Sequence, residues 1–206
     1  MTALPTPALL AITDRRQAVL SLPDLAEGLF AAGLRWLSLR EKDLPANAQV
    51  ALARELMTRA RPWGATVTLH GDPSLALAAG AAGVHLSDGG DPAAARRLLG
   101  DSALIGVSAH GEEGLSAAEK GGADYATLSP VYPSYSKPGY GPLIGPDGLR
   151  RLAAASPVPV VALGGVDPDN AGDCMDSGAA GVAVMGTLMR DPGALAGFLK
   201  CLEKVR

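Results

Sequence analysis

"GAAGVHLS", residues 80–87, decides the fold, because the chain uses its pattern four times. Small residues with glycine lead into a short apolar run here and again in "AGLRWLSL" (32–39), "GGADYATLS" (121–129) and "SGAAGVAVM" (177–185). Glycine just past a helix end supplies the left-handed cap, and the apolar run is the next strand. Four further runs have strand character: "LLAIT" (9–13), "TVTLH" (66–70), "ALIGVS" (103–108) and "VPVVALGG" (158–165). Helical stretches separate the strands. In "NAQVALARELMTRA" (47–60), Val50, Leu52, Leu56 and Met57 fall on roughly one face. Several such stretches open with Asp, Ser or Pro and some stop at Gly, as helix ends do. Eight strands alternating with eight helices predict a parallel sheet, closed into a single α/β domain over 1–206, a (β/α)8 TIM barrel. The alternative is a doubly wound open sheet, but no G-x-G-x-x-G follows the first strand.

The composition narrows the function. The chain of 206 residues is 48% hydrophobic but only 4% aromatic, which requires an aliphatic core of Ala, Leu and Val. A net charge of −3, mixed in sign, offers no basic surface for nucleic acid. No apolar run reaches the roughly eighteen residues needed to span a bilayer. "MTALPTPALLAITDRR" lacks the charged start and long apolar stretch of a signal peptide. Cys174 and Cys201 have neither CxxC nor metal-site spacing. The expectation is a soluble cytoplasmic protein.

In a barrel the chemistry sits where strands end. After strands seven and eight come "ALGGV" and "VMGTL", in which Gly164, Gly165 and Gly186 carry no Cβ over their backbone N–H groups. A short helix after strand eight would add its N-terminal dipole. These glycines make either a phosphate site or plain tight turns; glycine in both loops favours phosphate. Arg40 and Lys42, two residues apart, face the same way and with Lys137 can clamp a second anionic group, or else form a solvated cluster with Glu41 and Asp43. Asp72, with Asp88 or Asp91, could hold Mg2+ through water, although Asp91 also stands where a helix cap belongs, before Pro92. His110, directly after strand five, is a general acid/base candidate or a structural histidine. His85, inside an apolar strand, reads as core, and Trp36 and Trp63 as packing residues. The stretch "TLSPVYPSYSKPGYGPLIG" (127–145) holds four prolines and three of the four tyrosines, which excludes a helix and leaves a functional or flexible loop.

Taken in order, "LLAITDRR", "LREKD", "GAAGVHLS", "IGVSAH", "GGADYATLSPVYPSYSKPG", "VPVVALGGV" and "AGVAVMGTL" resemble the thiamine phosphate synthase/TenI family over about Ala11 to Leu188. The resemblance implies the barrel and the handling of thiazole phosphate in thiamine biosynthesis. In the synthase branch a Mg2+-bound pyrimidine diphosphate ionises, and the thiazole nitrogen attacks the pyrimidine methylene. By resemblance, Arg40, Lys42, Ser108 and Lys137 bind the diphosphate, with Ser134 and Ser136 as loop hydroxyls. Asp72 matches one Mg2+ ligand, and Gly165, Met185 and Gly186 match the thiazole phosphate site. The 127–145 loop would close over the ligand and deliver Lys137.

The sequence also departs from the synthase pattern. Ser38 replaces a Gln, Gly71 replaces the Asn before Asp72, and Gly90 takes the place of the second metal Asp, with Asp88 and Asp91 near but out of register. These departures favour a TenI-type thiazole tautomerase. Such an enzyme needs an acid/base and no cofactor: His110 and Lys137 would be catalytic, with the phosphate on Gly164, Gly165, Met185 and Gly186. The alternatives are the Mg2+-dependent synthase, with Asp72 and Asp91 near the metal, and a non-catalytic regulatory relative. The expected partners are thiazole phosphate and, for the synthase, pyrimidine diphosphate; a homodimer is compatible with the sequence.

Overall fold

The computed structural model describes residues 2–134, 139 and 141–203. Among them eight parallel strands close in sequence order into a barrel. The first half runs β1 (Leu9–Ile12), α1 (Leu22–Ala31), β2 (Trp36–Leu39), α2 (Ala46–Ala60), β3 (Thr66–His70), α3 (Pro73–Ala79), β4 (Gly83–Leu86) and α4 (Pro92–Leu99). The second half runs β5 (Leu104–Ala109), α5 (Glu112–Lys120), β6 (Tyr125–Leu128), α6 (Gly145–Ala155), β7 (Val160–Leu163), α7 (Ala171–Asp176), β8 (Gly181–Val184), α8 (Gly186–Arg190) and α9 (Leu195–Glu203). The (β/α)8 expectation holds. One helix exceeds the predicted eight: α8, the short helix after the last strand, precedes the final long one.

Alternation along each strand sends side chains either to the helices or to the barrel interior. The outer set is aliphatic and packs under the helices, as the composition required. The inner set is smaller: Leu10, Ile12, Trp36, Leu104, Tyr125, Val161 and Ala183. Trp36 and Tyr125 meet edge to face with centroids 4.8 Å apart, worth about 0.5–1.5 kcal/mol beyond simple burial. Trp63, in contrast, lies in a 3-10 turn and is 38% exposed, so it is not a core residue.

The pole at the strands' N-terminal ends is tied by Asp124, which is buried. Its carboxylate accepts from the guanidinium of Arg96 at 2.7 Å and from the backbone N–H groups of Ile105 (2.8 Å) and Thr2 (2.6 Å). A buried carboxylate is tolerable when its lone pairs are met in this way. The opposite pole is where function is expected.

Candidate active site

A cavity of about 240 Å³ opens at the C-terminal ends of the strands. Its lining divides by strand. Ile12 and Leu163, the last residues of β1 and β7, and Met185, just after β8, form an apolar wall. Arg40, His70, His85, Ser87, Ser108 and Ser129, from β2 to β6, form a polar arc opposite. A flat heterocycle can rest on one side while charge and hydrogen bonds are met on the other.

Arg40 and Lys42 are both on the lining. Glu41 and Asp43 turn to Arg15: Glu41 accepts from the backbone N–H (3.0 Å) and guanidinium (3.1 Å) of Arg15, and Asp43 accepts two bonds of 2.6 Å from the same guanidinium. Arg16 adds a further bond to Asp43 at 2.8 Å. The Arg15 hydrogen bonds hold the Asp43 carboxyl well below the usual range. Alternation thus sorts "REKD" into two cations facing the mouth and two carboxylates locking the first loop to the second. Lys42 reaches Ser87 Oγ at 3.5 Å.

Beneath the rim lie two stacked histidines, ring centroids 4.9 Å apart. Burial pushes His70 down to about 2 and His85 down to about 3, with nearby Lys42 adding to both shifts. Both rings are therefore neutral near pH 7. His85 Nδ1 lies 2.9 Å from the Tyr125 hydroxyl, while Nε2 lies 3.1 Å from Ser108 Oγ and 3.3 Å from Thr127 Oγ1. Burial raises the Tyr125 hydroxyl far above its ordinary range, so it stays protonated and able to donate to Nδ1. In the tautomer where Tyr125 donates to Nδ1, Nε2–H donates to Ser108, whose own hydroxyl proton then points to a ligand in the cavity. His70 Nδ1 and Ser38 Oγ are buried without a hydrogen-bond partner. The sequence reading of His85 as core is right about burial. It missed the ring's service to Ser108, visible only as the placement of His85, Ser108 and Thr127 on adjacent inward-facing registers.

His110 stands at the rim with Nδ1 2.7 Å from the carbonyl oxygen of Ser129. That bond makes Nδ1–H the donor and, in the neutral ring, puts the lone pair on Nε2.

A second cavity of about 260 Å³ adjoins the first, sharing Ser134, Leu163, Gly164 and Met185, and extends to Gly165, Gly186, Thr187 and Arg190. Gly164 and Gly165 both have positive φ, +94° and +64°, a backbone that disfavours a Cβ. The Gly164 carbonyl accepts from Tyr132 N–H at 2.9 Å, and the Gly165 carbonyl from Asn170 Nδ2 at 3.0 Å. In trans peptides the next N–H points the opposite way, so Gly165 and Val166 turn their N–H groups away from those partners. At Gly186 the constraint is clearance: a Cβ would lie 2.5 Å from an Arg190 guanidinium nitrogen.

The structure therefore brings Arg40, Lys42, Ser108, His110, Ser134, Gly164 and Met185 to one mouth, with Gly165 and Gly186 in the adjoining cup. Ser136 and Lys137 lie outside the described residues. Asp72 and Asp91 lie in an adjacent groove that shares Ser87 and Asp88 with the mouth. Asp72 caps α3 through Ser74 N–H at 2.7 Å, Asp91 caps α4 through Ala94 N–H at 2.9 Å, and both line that groove. Among the described residues no group of three or more His, Cys, Asp or Glu side chains is arranged to hold a metal. Asp88 is the carboxylate that lines the mouth itself, so a Mg2+ held there through water would draw on Asp88, with Asp72 and Asp91 in the groove beside it.

Residues 9–188 match the family model described as Thiamine monophosphate synthase, TMP-TENI. The chain belongs to this thiamine monophosphate synthase family. A Geobacter sulfurreducens relative, provisionally named a thiamine-phosphate synthase, is 46% identical over 187 residues, 90% of this chain and 88% of that one. The thiamine-phosphate synthase of Moorella thermoacetica is 38% identical over 167 residues, covering 81% and 80% of the two chains. Among solved structures, the thiamine phosphate pyrophosphorylase of Pyrococcus furiosus superposes with a TM-score of 0.85 at 28% identity, over 96% of each chain. These names correct the weight given to the departures at Ser38, Gly71 and Gly90: the relatives favour the synthase over the tautomerase. No helix among the described residues of this family member is long and apolar enough to cross a membrane.

Proposed function

We propose that the protein is a thiamine phosphate synthase, joining a pyrimidine diphosphate to a thiazole phosphate. The observation that carries this reading is the pair of adjoining cavities, each suited to an anion. A synthase has two phosphorylated substrates to place head to head, whereas a tautomerase has one. The diphosphate goes to the mouth, where Arg40 and Lys42 offset the charge that grows on it as the C–O bond breaks. The Ser108 hydroxyl, aligned by His85, donates to the same group. The thiazole phosphate goes to the Gly164–Gly165 and Gly186 cup, which turns the ring nitrogen toward the pyrimidine methylene. Holding both substrates across the shared boundary converts an encounter into a positioned displacement. The neutral His70–His85 pair keeps the floor compatible with positive charge on the pyrimidine. Ser134 lies at the boundary, and Ser136 and Lys137 are proposed to complete the diphosphate site.

The tautomerase reading keeps one supporting observation, the anchored His110 ring at the rim, where it could move a proton on a carboxythiazole phosphate. One experiment separates the two. Pyrimidine diphosphate, thiazole phosphate and Mg2+ are supplied and thiamine phosphate is measured; carboxythiazole phosphate is offered separately. Coupling without isomerisation supports the synthase. Isomerisation without coupling rejects it in favour of the tautomerase, and neither reaction, with binding retained, points to the regulatory relative.

A further inference from the structure

We propose that Arg190, held in place by Gln17, is the cationic residue that makes the second cavity selective for a phosphorylated thiazole. This rests on the synthase reading above. The backbone cup has N–H groups to offer but no full charge of its own, and a phosphate monoester brings nearly two. Among the described residues lining the cup, the charged ones are Arg190 and Asp167. Asp167 is turned into its own loop, where Oδ1 accepts from the N–H groups of Asp169 (3.0 Å) and Asn170 (3.1 Å). Arg190 instead lies back along α8 over Gly186, its guanidinium donating to the side-chain oxygen of Gln17.

Gln17 is itself oriented. Its amide nitrogen donates to Asp14, whose other oxygen accepts from Arg16 N–H at 3.1 Å. That leaves the Gln17 oxygen for Arg190. A carboxamide positions a guanidinium without cancelling its charge, and among the described residues no carboxylate lies within ion-pair distance of Arg190. Gly186 is what allows the close approach, because both the guanidinium and the Gln17 oxygen (2.7 Å) occupy the space of a side chain there. Arg190 is four residues after Gly186, one helical turn on, and so shares its face. A planar guanidinium suits a phosphate, since it can donate two parallel bonds.

The test uses the coupling reaction with two acceptors, the thiazole phosphate and its dephosphorylated alcohol. Arg190→Ala is expected to raise KM for the phosphate about tenfold or more, as for loss of a charge-assisted hydrogen bond, with kcat little changed. Use of the alcohol should be unaltered, so preference for the phosphate falls by the same factor. Arg190→Lys should recover part of it, and Gln17→Ala should lose less in the same direction. Added salt should raise KM more steeply in the parent than in Arg190→Ala. An unchanged preference in Arg190→Ala overturns the inference and leaves the synthase reading intact. Should the parent make no thiamine phosphate, thermal stabilisation by thiazole phosphate becomes the readout. Stabilisation lost in Arg190→Ala then rejects the synthase while retaining the arginine's role; equal stabilisation rejects that role, and none in the parent rejects both.

Discussion

His85 offers a quantitative test of the buried polar floor. Burial lowers the ring from an ordinary 6.5 to about 3, so the folded protein keeps it neutral over a range in which the unfolded chain protonates it. The unfolded state then binds more protons, and stability falls as pH drops below 6.5, with the loss complete only near the folded value. Each pH unit costs about 1.36 kcal/mol, so roughly two units below 6.5 the histidine withdraws about 2.7 kcal/mol. That is a large share of the ~5–15 kcal/mol typical of a domain. His85→Gln removes the titration while its amide retains the hydrogen-bonding capacity for Tyr125 and Ser108. Urea unfolding of both proteins from neutral pH down to about pH 4.5 should show the variant weaker at neutral pH. Disrupted contacts predict a deficit of about 1–3 kcal/mol there. The gap should then shrink or reverse by about 2.7 kcal/mol on acidification, because the other titrating groups are common to both and cancel. Parallel stability curves would refute the argument, because they would mean the imidazole accepts a proton without unfolding.

Three further outcomes follow from named contacts. Arg40→Ala should raise KM for the pyrimidine diphosphate about 10- to 100-fold, the loss of a charged hydrogen bond, while thiazole phosphate binding measured alone stays the same. Asp91→Ala should cost about 0.5–2 kcal/mol of stability as a lost helix cap, with the Mg2+ concentration giving half-maximal activity unmoved; a shifted Mg2+ requirement would return Asp91 to the metal. Asp124→Ala strands Arg96 at the far pole and should destabilise by about 3–5 kcal/mol in calorimetry, yet leave the kinetic constants of the folded fraction alone.

The barrel was legible because its signal is local. Each glycine-then-apolar repeat encodes a helix stop and a strand start, and "TVTLH" coincides with β3 residue for residue. The placement of Gly164, Gly165 and Gly186 in one cavity was legible for the same reason, since these residues speak through the backbone. What lay hidden depends on registers between strands. Nothing adjacent in sequence links His85 to Tyr125 and Ser108, or Gln17 to Arg190, 173 residues apart. The acidic positions read two ways for a physical reason: an Asp before Pro is equally good chemistry for a metal and for a helix cap, and the structure shows the cap at both Asp72 and Asp91.

The split lining of the mouth makes the enzyme modular. Ile12, Leu163 and Met185 are apolar and lie across the cavity from Arg40 and Ser108, with Leu163 and Met185 also bordering the second cavity. Trimming Leu163 would widen the slot for bulkier heterocycles without disturbing the leaving-group machinery across the barrel. Directed evolution toward vitamin analogues therefore has a natural place to begin: the wall from β7 through β8 to β1.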